Sequence, residues 1–328
     1  MGYKINDVPE RITKMRAAWA ASDAKRDAGL TEPEELEKFR DISYGPYDKW
    51  NLLDVYIPKD SNSNAKLQKE NTESGNKSCS NQDSAAQGLS FPVIVNIHGG
   101  GYFYGDKELY RFYCMRLARF GFAVVNINYR LAPEFNFPSP IEDAMAVMHW
   151  ISKNAAEYNL DKNNVFIVGD SAGAQITSQF ACVFTNPEYA DKFGLKAPKD
   201  VRLAAIGLAC GMYKFPEKGK GEEMDTIMMD YLGSKDVIGD PRTLLHENIT
   251  DKYPATYIFT CYNDFLFTEC KPYADFLEGK GIEVGSKIYG SKEEKEIGHV
   301  FHCNLRLEEG ERANKAQTDF FKKHIETD

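Results

Sequence analysis

The chain has 328 residues, 42% of them hydrophobic, with 25 glycines and a formal charge of −9. That length carries one large α/β domain with an accessory element, or two domains. The acidic balance argues against nucleic acid as a partner, because neutralising phosphates takes clustered Lys and Arg. The seven cysteines form no CxxC pair and no metal-ligand spacing, so no metal or organic cofactor is implied. Met1–Arg16 is charged and has no apolar signal region, and no run approaches the ~20 apolar residues of a membrane span. Together these features predict a cytoplasmic protein.

Residues 8–40 are helix-prone, with Ile12, Met15, Ala18 and Trp19 spaced along one face. Thr31-Glu32-Pro33-Glu34 reads as a cap opening a second short helix. Strand-like segments follow at Asp41–Tyr44 and Leu52–Ile57. Residues 59–90 are rich in Ser, Asn, Gln and Lys with almost no large apolar side chain, and read as a flexible loop joining two strands rather than a partner-binding tail.

From residue 91 apolar strands are expected at 92–97, 122–127, 164–168, 203–209, 255–261 and 283–289. Helical segments alternate with them near 107–119, 138–157, 172–184, 268–280 and 306–326. Nearly continuous Val/Ile runs separated by helices imply a mostly parallel sheet covered on both faces, an α/β fold. Residues 214–250 interrupt the rhythm with a loop and a helix over Glu222–Leu232, and read as a cap insertion. The expected organisation is therefore cap helices in 1–40, a catalytic core in 41–213, the insertion at 214–250, and the rest of the core in 251–328.

Two motifs carry the chemistry. Gly169-Asp170-Ser171-Ala172-Gly173 follows a strand and opens a helix, the setting of a nucleophile elbow. The small residues two positions either side of Ser171 make room for the sharp turn, and the helix N-terminus favours developing negative charge. Serine needs a base to take its proton. His299, in a glycine-marked loop after the last strand, is the candidate, with His302 as local competitor. Asp264, just past a strand end, is the carboxylate expected to orient the imidazole, with Glu269 as runner-up. The other motif, His98-Gly99-Gly100-Gly101, also ends a strand. Backbone N–H groups of Gly100, Gly101 and Ala172 are the expected oxyanion donors, with His98 bracing the loop. Tyr102, Phe103, Tyr104, Trp19, Met228 and Tyr231 are candidate walls of an acyl or alcohol pocket, with simple cap packing as the alternative.

These residues, with Asn128-Tyr129-Arg130-Leu131-Ala132-Pro133-Glu134, resemble the hormone-sensitive-lipase-like carboxylesterases of the α/β-hydrolase superfamily. The resemblance spans residues 40–58 and 91–328. It implies a mostly parallel eight-stranded-type sheet with a helical cap built from the N-terminal helices and an insertion after the sixth strand. It further implies a Ser171–Asp264–His299 triad, the three oxyanion donors named above, no cofactor, and a small-molecule ester with a short acyl group as substrate. Ala174, Asn128 and Phe265 depart from the family's usual glycine, aspartate and proline. An amidase or peptidase with the same triad, and a non-catalytic ligand receptor, are the alternatives; oligomeric state is not readable.

Overall fold

The computed structural model describes residues 5–59, 90–214 and 222–327. The expected loop at 59–90 lies outside the described residues apart from its two ends. Eight strands form one sheet in the order β1-β2-β4-β3-β5-β6-β7-β8. They are β1 (Leu36–Ser43), β2 (Leu52–Pro58), β3 (Phe91–Ile97), β4 (Ala123–Ile127), β5 (Leu160–Asp170), β6 (Leu203–Ala209), β7 (Ala255–Cys261) and β8 (Val284–Tyr289). β2 is antiparallel to both neighbours, β1 and β4. Every pairing from β4 through β8 is parallel.

The two-residue pleat sorts side chains to opposite faces. Val93, Val95 and Ile97 join one hydrophobic cluster, while Ile94 joins the other. The first cluster is covered by α3 (Ser139–Asn154), α4 (Ala172–Thr185) and α8 (Phe267–Gly279), through Ile141, Met148, Ile176, Phe180 and Leu277. The second is covered by α2 (Lys107–Ala118) and α9 (Glu308–Lys322), through Tyr110, Leu117, Ala313 and Phe321. The expected Met stripe of 138–157 is core packing, with Met145 and Met148 buried.

The N-terminal region holds one helix, α1 (Glu10–Asp27), instead of two. Residues 31–33 are irregular, 34 and 35 form a turn, and β1 begins at Leu36. The capping pattern at Thr31 is overridden because Leu36 and Phe39 pair with Pro58 and Val55 of β2; a strand ladder outweighs a weak local helix preference. The core therefore starts at β1 and α1 alone remains on the cap side. Within 214–250 the helix falls at Glu222–Leu232 (α6), followed by a 3-10 turn at Lys235–Val237 and the short α7 (Leu245–Asn248). α5 (Pro187–Asp191) links α4 to β6. The carboxyl ends of β3, β5 and β7 and the loop after β8 open toward α1 and α6, and the cavity lies there.

Candidate active site

Ser171 is the residue where β5 turns into α4. Its backbone sits at φ 53, ψ −119, a conformation costly for a side-chain-bearing residue and typical of functional turns. A Cβ on Gly173 would run into the carbonyls of Ile97 and His98, so glycine here lets α4 pack against the end of β3. The Ser171 amide is held by the Ala209 carbonyl at 2.9 Å. The strained turn is thus fixed from β3 and β6 at once.

His299 follows β8 and Asp264 follows β7, and both meet Ser171. His299 Nε2 lies 2.9 Å from Ser171 Oγ, and His299 Nδ1 lies 2.7 Å from Asp264 Oδ1. Asp264 is 5% exposed. It accepts hydrogen bonds from Thr260 Oγ1 (2.6 Å) and the Leu266 amide (2.9 Å). Burial pushes its carboxyl up, yet the donors from His299, Thr260 and Leu266 outweigh that and hold it below the usual carboxylate range. An ionised carboxylate against Nδ1 favours the tautomer with its proton on Nδ1, leaving Nε2 free to accept.

Gly100 and Gly101, both at positive φ, curl the chain after β3. The Gly100 carbonyl accepts from the amides of Phe103 and Tyr104 (3.2 and 3.0 Å), which closes the turn. Among the described residues the amides of Gly100, Gly101 and Ala172 donate to no backbone acceptor. All three residues line the same cavity as Ser171 and His299. His98 is fully buried beneath this turn, stacked on Tyr129 with ring centroids 4.3 Å apart. Burial lowers its pKa to about 4, so it is a neutral brace.

Asp170 ties the two motifs together. Its Oδ1 accepts the Gly99 amide at 3.1 Å and its Oδ2 accepts the Tyr110 hydroxyl at 2.8 Å. His302 stands apart from Ser171's hydrogen bonds. It is 1% exposed, edge-on to Tyr113 and Phe259, and burial lowers its pKa to about 3. Glu269 lies in the first turn of α8, while the carboxylate bonded to His299 is that of Asp264.

The cavity measures about 660 Å³. Its lining is partly apolar, with Met15 and Trp19 from α1, Ile227 from α6, and Met212, Phe265 and Leu266 from loops. Phe265, standing where the family has proline, is 69% exposed and lays its ring 4.2 Å from that of His299. Polar groups from α1 share the lining. There the Tyr104 hydroxyl donates to Asp23 Oδ2 (2.7 Å) and Arg26 Nη1 donates to Asp23 Oδ1 (2.9 Å). Asp23, Arg26, Met212 and Phe265 escaped sequence reasoning because charged helix positions and loop apolars carry no periodic signal.

Of the expected pocket walls, Trp19, Tyr102 and Tyr104 line the cavity. Phe103, Met228 and Tyr231 do not, and the reason is packing. Phe103 is fully buried under Trp19 (centroids 4.9 Å). Met228 sits in the main hydrophobic cluster, and Tyr231 stacks on Tyr102 at 4.0 Å. α1 is anchored over the cavity by Arg16, which bonds Glu134 through two nitrogens (2.8 and 2.7 Å) and the carbonyls of Phe103 and Ala132. Arg11 pairs with Asp230, joining α1 to α6. Asn128 accepts the Lys107 amide and donates to the Lys49 carbonyl. Arg130 instead takes Asp143 and Glu142 as partners, so no carboxylate is needed at position 128.

A strand-to-helix elbow bearing a serine, beside an imidazole and a carboxylate at the rim of a mostly parallel sheet, is the architecture of a hydrolase of the α/β type. Residues 94–302 match the alpha/beta hydrolase fold family, and the chain belongs to it. It is 31% identical over 190 residues to the versiconal hemiacetal acetate esterase of Dothistroma septosporum, covering 53% of this chain and 57% of that one. Against the probable carboxylic ester hydrolase LipM of Mycobacterium tuberculosis it is 27% identical over 263 residues, covering 76% of this chain and 53% of that one. The chain thus spans little more than half the length of these curated relatives. Esterase B from Lactobacillus rhamnosis superposes with a TM-score of 0.79 at 24% identity, covering 96% of this chain and 95% of that one, which shows the shared fold. No helix among the described residues is long and apolar enough to cross a membrane.

Proposed function

We propose that the chain is a serine carboxylesterase that hydrolyses short-acyl carboxylic esters through an acyl-enzyme. The observation that carries this reading is the unbroken relay from Ser171 Oγ through His299 to Asp264, at 2.9 and 2.7 Å, facing uncommitted amides across one cavity. Ser171 attacks the ester carbonyl as His299 Nε2 takes its proton. The tetrahedral oxyanion is met by the amides of Gly100, Gly101 and Ala172, donors of a kind worth roughly 3–4 kcal/mol each where one has been removed. His299 then returns the proton to the departing alkoxide, and water repeats the sequence on the acyl-serine. Asp264 stays ionised throughout and stabilises the imidazolium.

Relatives named as esterases support ester hydrolysis as the reaction. The short acyl group is supported by the mixed walls of the cavity. A methylene gains ~0.8 kcal/mol only where it is buried against apolar surface, and Asp23, Arg26 and Tyr104 interrupt the apolar lining. The six described cysteines are all free, which fits a reducing cytoplasm. The test is a chain-length series of p-nitrophenyl esters alongside matched amides, with a fluorophosphonate probe on Ser171. The expected result is labelling of Ser171 and kcat/KM highest for short acyl groups. Labelling without ester turnover, or a preference for the amides, overturns the reading.

A further inference from the structure

Directly beneath the relay lie two thiols that the proposed mechanism leaves unused. Cys210 is the first residue after β6, held by its amide to the Phe259 carbonyl at 2.8 Å. Cys261 ends β7. Because β6 and β7 are parallel neighbours, both thiols arrive at the same sheet edge as the loops bearing Asp264 and His299. Cys210 Sγ, an Asp264 carboxylate oxygen and a His299 ring nitrogen all lie within 4.8 Å of one another. Cys261 donates to the carbonyl of Gly298, next to His299, at 3.1 Å. Both thiols are buried, while His299 opens onto the cavity and gives a route in.

We propose that Cys210, Asp264 and His299 form an inhibitory binding site for a thiophilic divalent cation, with zinc as the best fit. One sulfur, one imidazole and one carboxylate, with a fourth position left for water, make a set that zinc accepts tetrahedrally and that calcium or magnesium does not favour. With bonds of ~2.3 Å to sulfur and ~2.0 Å to nitrogen or oxygen, tetrahedral ligand atoms stand ~3.2–3.8 Å apart. The Cys210 thiol therefore closes in slightly, and the 2.7 Å contact between His299 and Asp264 widens.

The balance of protons and charge is favourable. One thiol proton leaves for solvent and one dication enters, so the new thiolate and the Asp264 carboxylate together neutralise the cation and the cluster carries no net buried charge. The proton on His299 Nδ1 gives way to the metal and moves to Nε2. His299 then donates toward Ser171 where it previously accepted, and the base is lost. This inhibitory consequence rests on the esterase reading above; the binding does not.

The experiment uses the reduced, untagged full chain titrated with cobalt(II). The expected result is visible bands of a tetrahedral ion together with near-ultraviolet thiolate-to-cobalt absorption, both displaced by zinc. Cys210→Ser and Cys210→Ala should each weaken that absorption and raise the zinc concentration for half-inhibition at least ~tenfold, with metal-free ester hydrolysis within twofold of the parent. Chelator should restore the zinc-treated parent. Absence of thiolate-to-cobalt absorption in the parent overturns the proposal, as does equal zinc sensitivity in either Cys210 variant that folds. If the chain hydrolysed no ester at all, the cobalt titration would still decide whether the site exists.

Discussion

Two sets of the same three ingredients stand close together behind the sheet edge. Ser171, His299 and Asp264 line or adjoin the cavity, and Cys303, His302 and Asp170 lie within 4.8 Å of one another, Asp170 just before Ser171 in the chain and the other two just after His299. Each set has a nucleophile, an imidazole and a carboxylate. In the second set burial dominates. It lifts Asp170 to about 6, drops His302 to about 3 and drives the Cys303 thiol far above its usual range. His302 Nδ1 finds no partner there. In the first set hydrogen-bond donors hold the carboxylate ionised against the same burial. Residue type is shared; what separates the two is who supplies hydrogen bonds to the carboxylate and whether a substrate can arrive.

The comparison breaks most visibly at the nucleophiles. Ser171→Ala is expected to lower kcat for an ester by about 10⁴-fold or more with thermal unfolding nearly unchanged, whereas Cys303→Ala should leave kcat within a few-fold. The imidazoles should part in the same way. His299→Ala should match the loss at Ser171, and His302→Ala should keep most activity while losing ~1–3 kcal/mol of stability, read from urea unfolding. Equal inactivation by the two histidine changes would reassign the base. At the carboxylates, Asp264→Asn should cost up to about 10⁴-fold in kcat by allowing the wrong tautomer, and Asp170→Asn much less, acting only through the Gly99 turn.

A pH series sharpens the contrast further. His302 binds a proton near its usual 6.5 when unfolded but only at about 3 when folded. Between those values the unfolded chain holds more protons, so stability falls as pH drops through that window. His302→Gln should flatten the slope of Tm against pH there, and an unchanged slope would move its source elsewhere, His98 being next. The smallest effect is expected at Thr260→Val, which removes one 2.6 Å donor from Asp264. With a charge-assisted hydrogen bond worth ~1.5–3 kcal/mol, kcat should fall several-fold and the acid limb of its pH profile should move upward.

The strands after residue 91 were legible because buried parallel strands are written as unbroken Val/Ile runs, and β7 falls where expected at Ala255–Cys261. β1 was hidden. Leu36-Glu37-Lys38-Phe39-Arg40 is an edge strand with half its length in water, and its charges read as helix surface. The elbow, the glycine turn and the positions of His299 and Asp264 could be placed from local sequence and chain order. The cavity walls could not. On α1 the inward face includes Arg16, Asp23 and Arg26 beside Met15 and Trp19, because it looks into a partly polar cavity rather than a core. Ala18, assigned to the apolar stripe, is exposed. Met228 and Tyr231 were drawn toward the pocket by their chemistry alone, yet packing against the core claimed them first.

Arg16 has a consequence for how substrate enters. Its guanidinium satisfies Glu134, 8% exposed, and two carbonyls of the chain just beyond the glycine turn. Swinging α1 outward would strand that carboxylate without a counter-ion, which for a charge this enclosed costs several kcal/mol. α1 is therefore a fixed roof rather than a hinged door. Phe265, 69% exposed on the cavity lining, can widen the mouth by side-chain rotation without moving the helix.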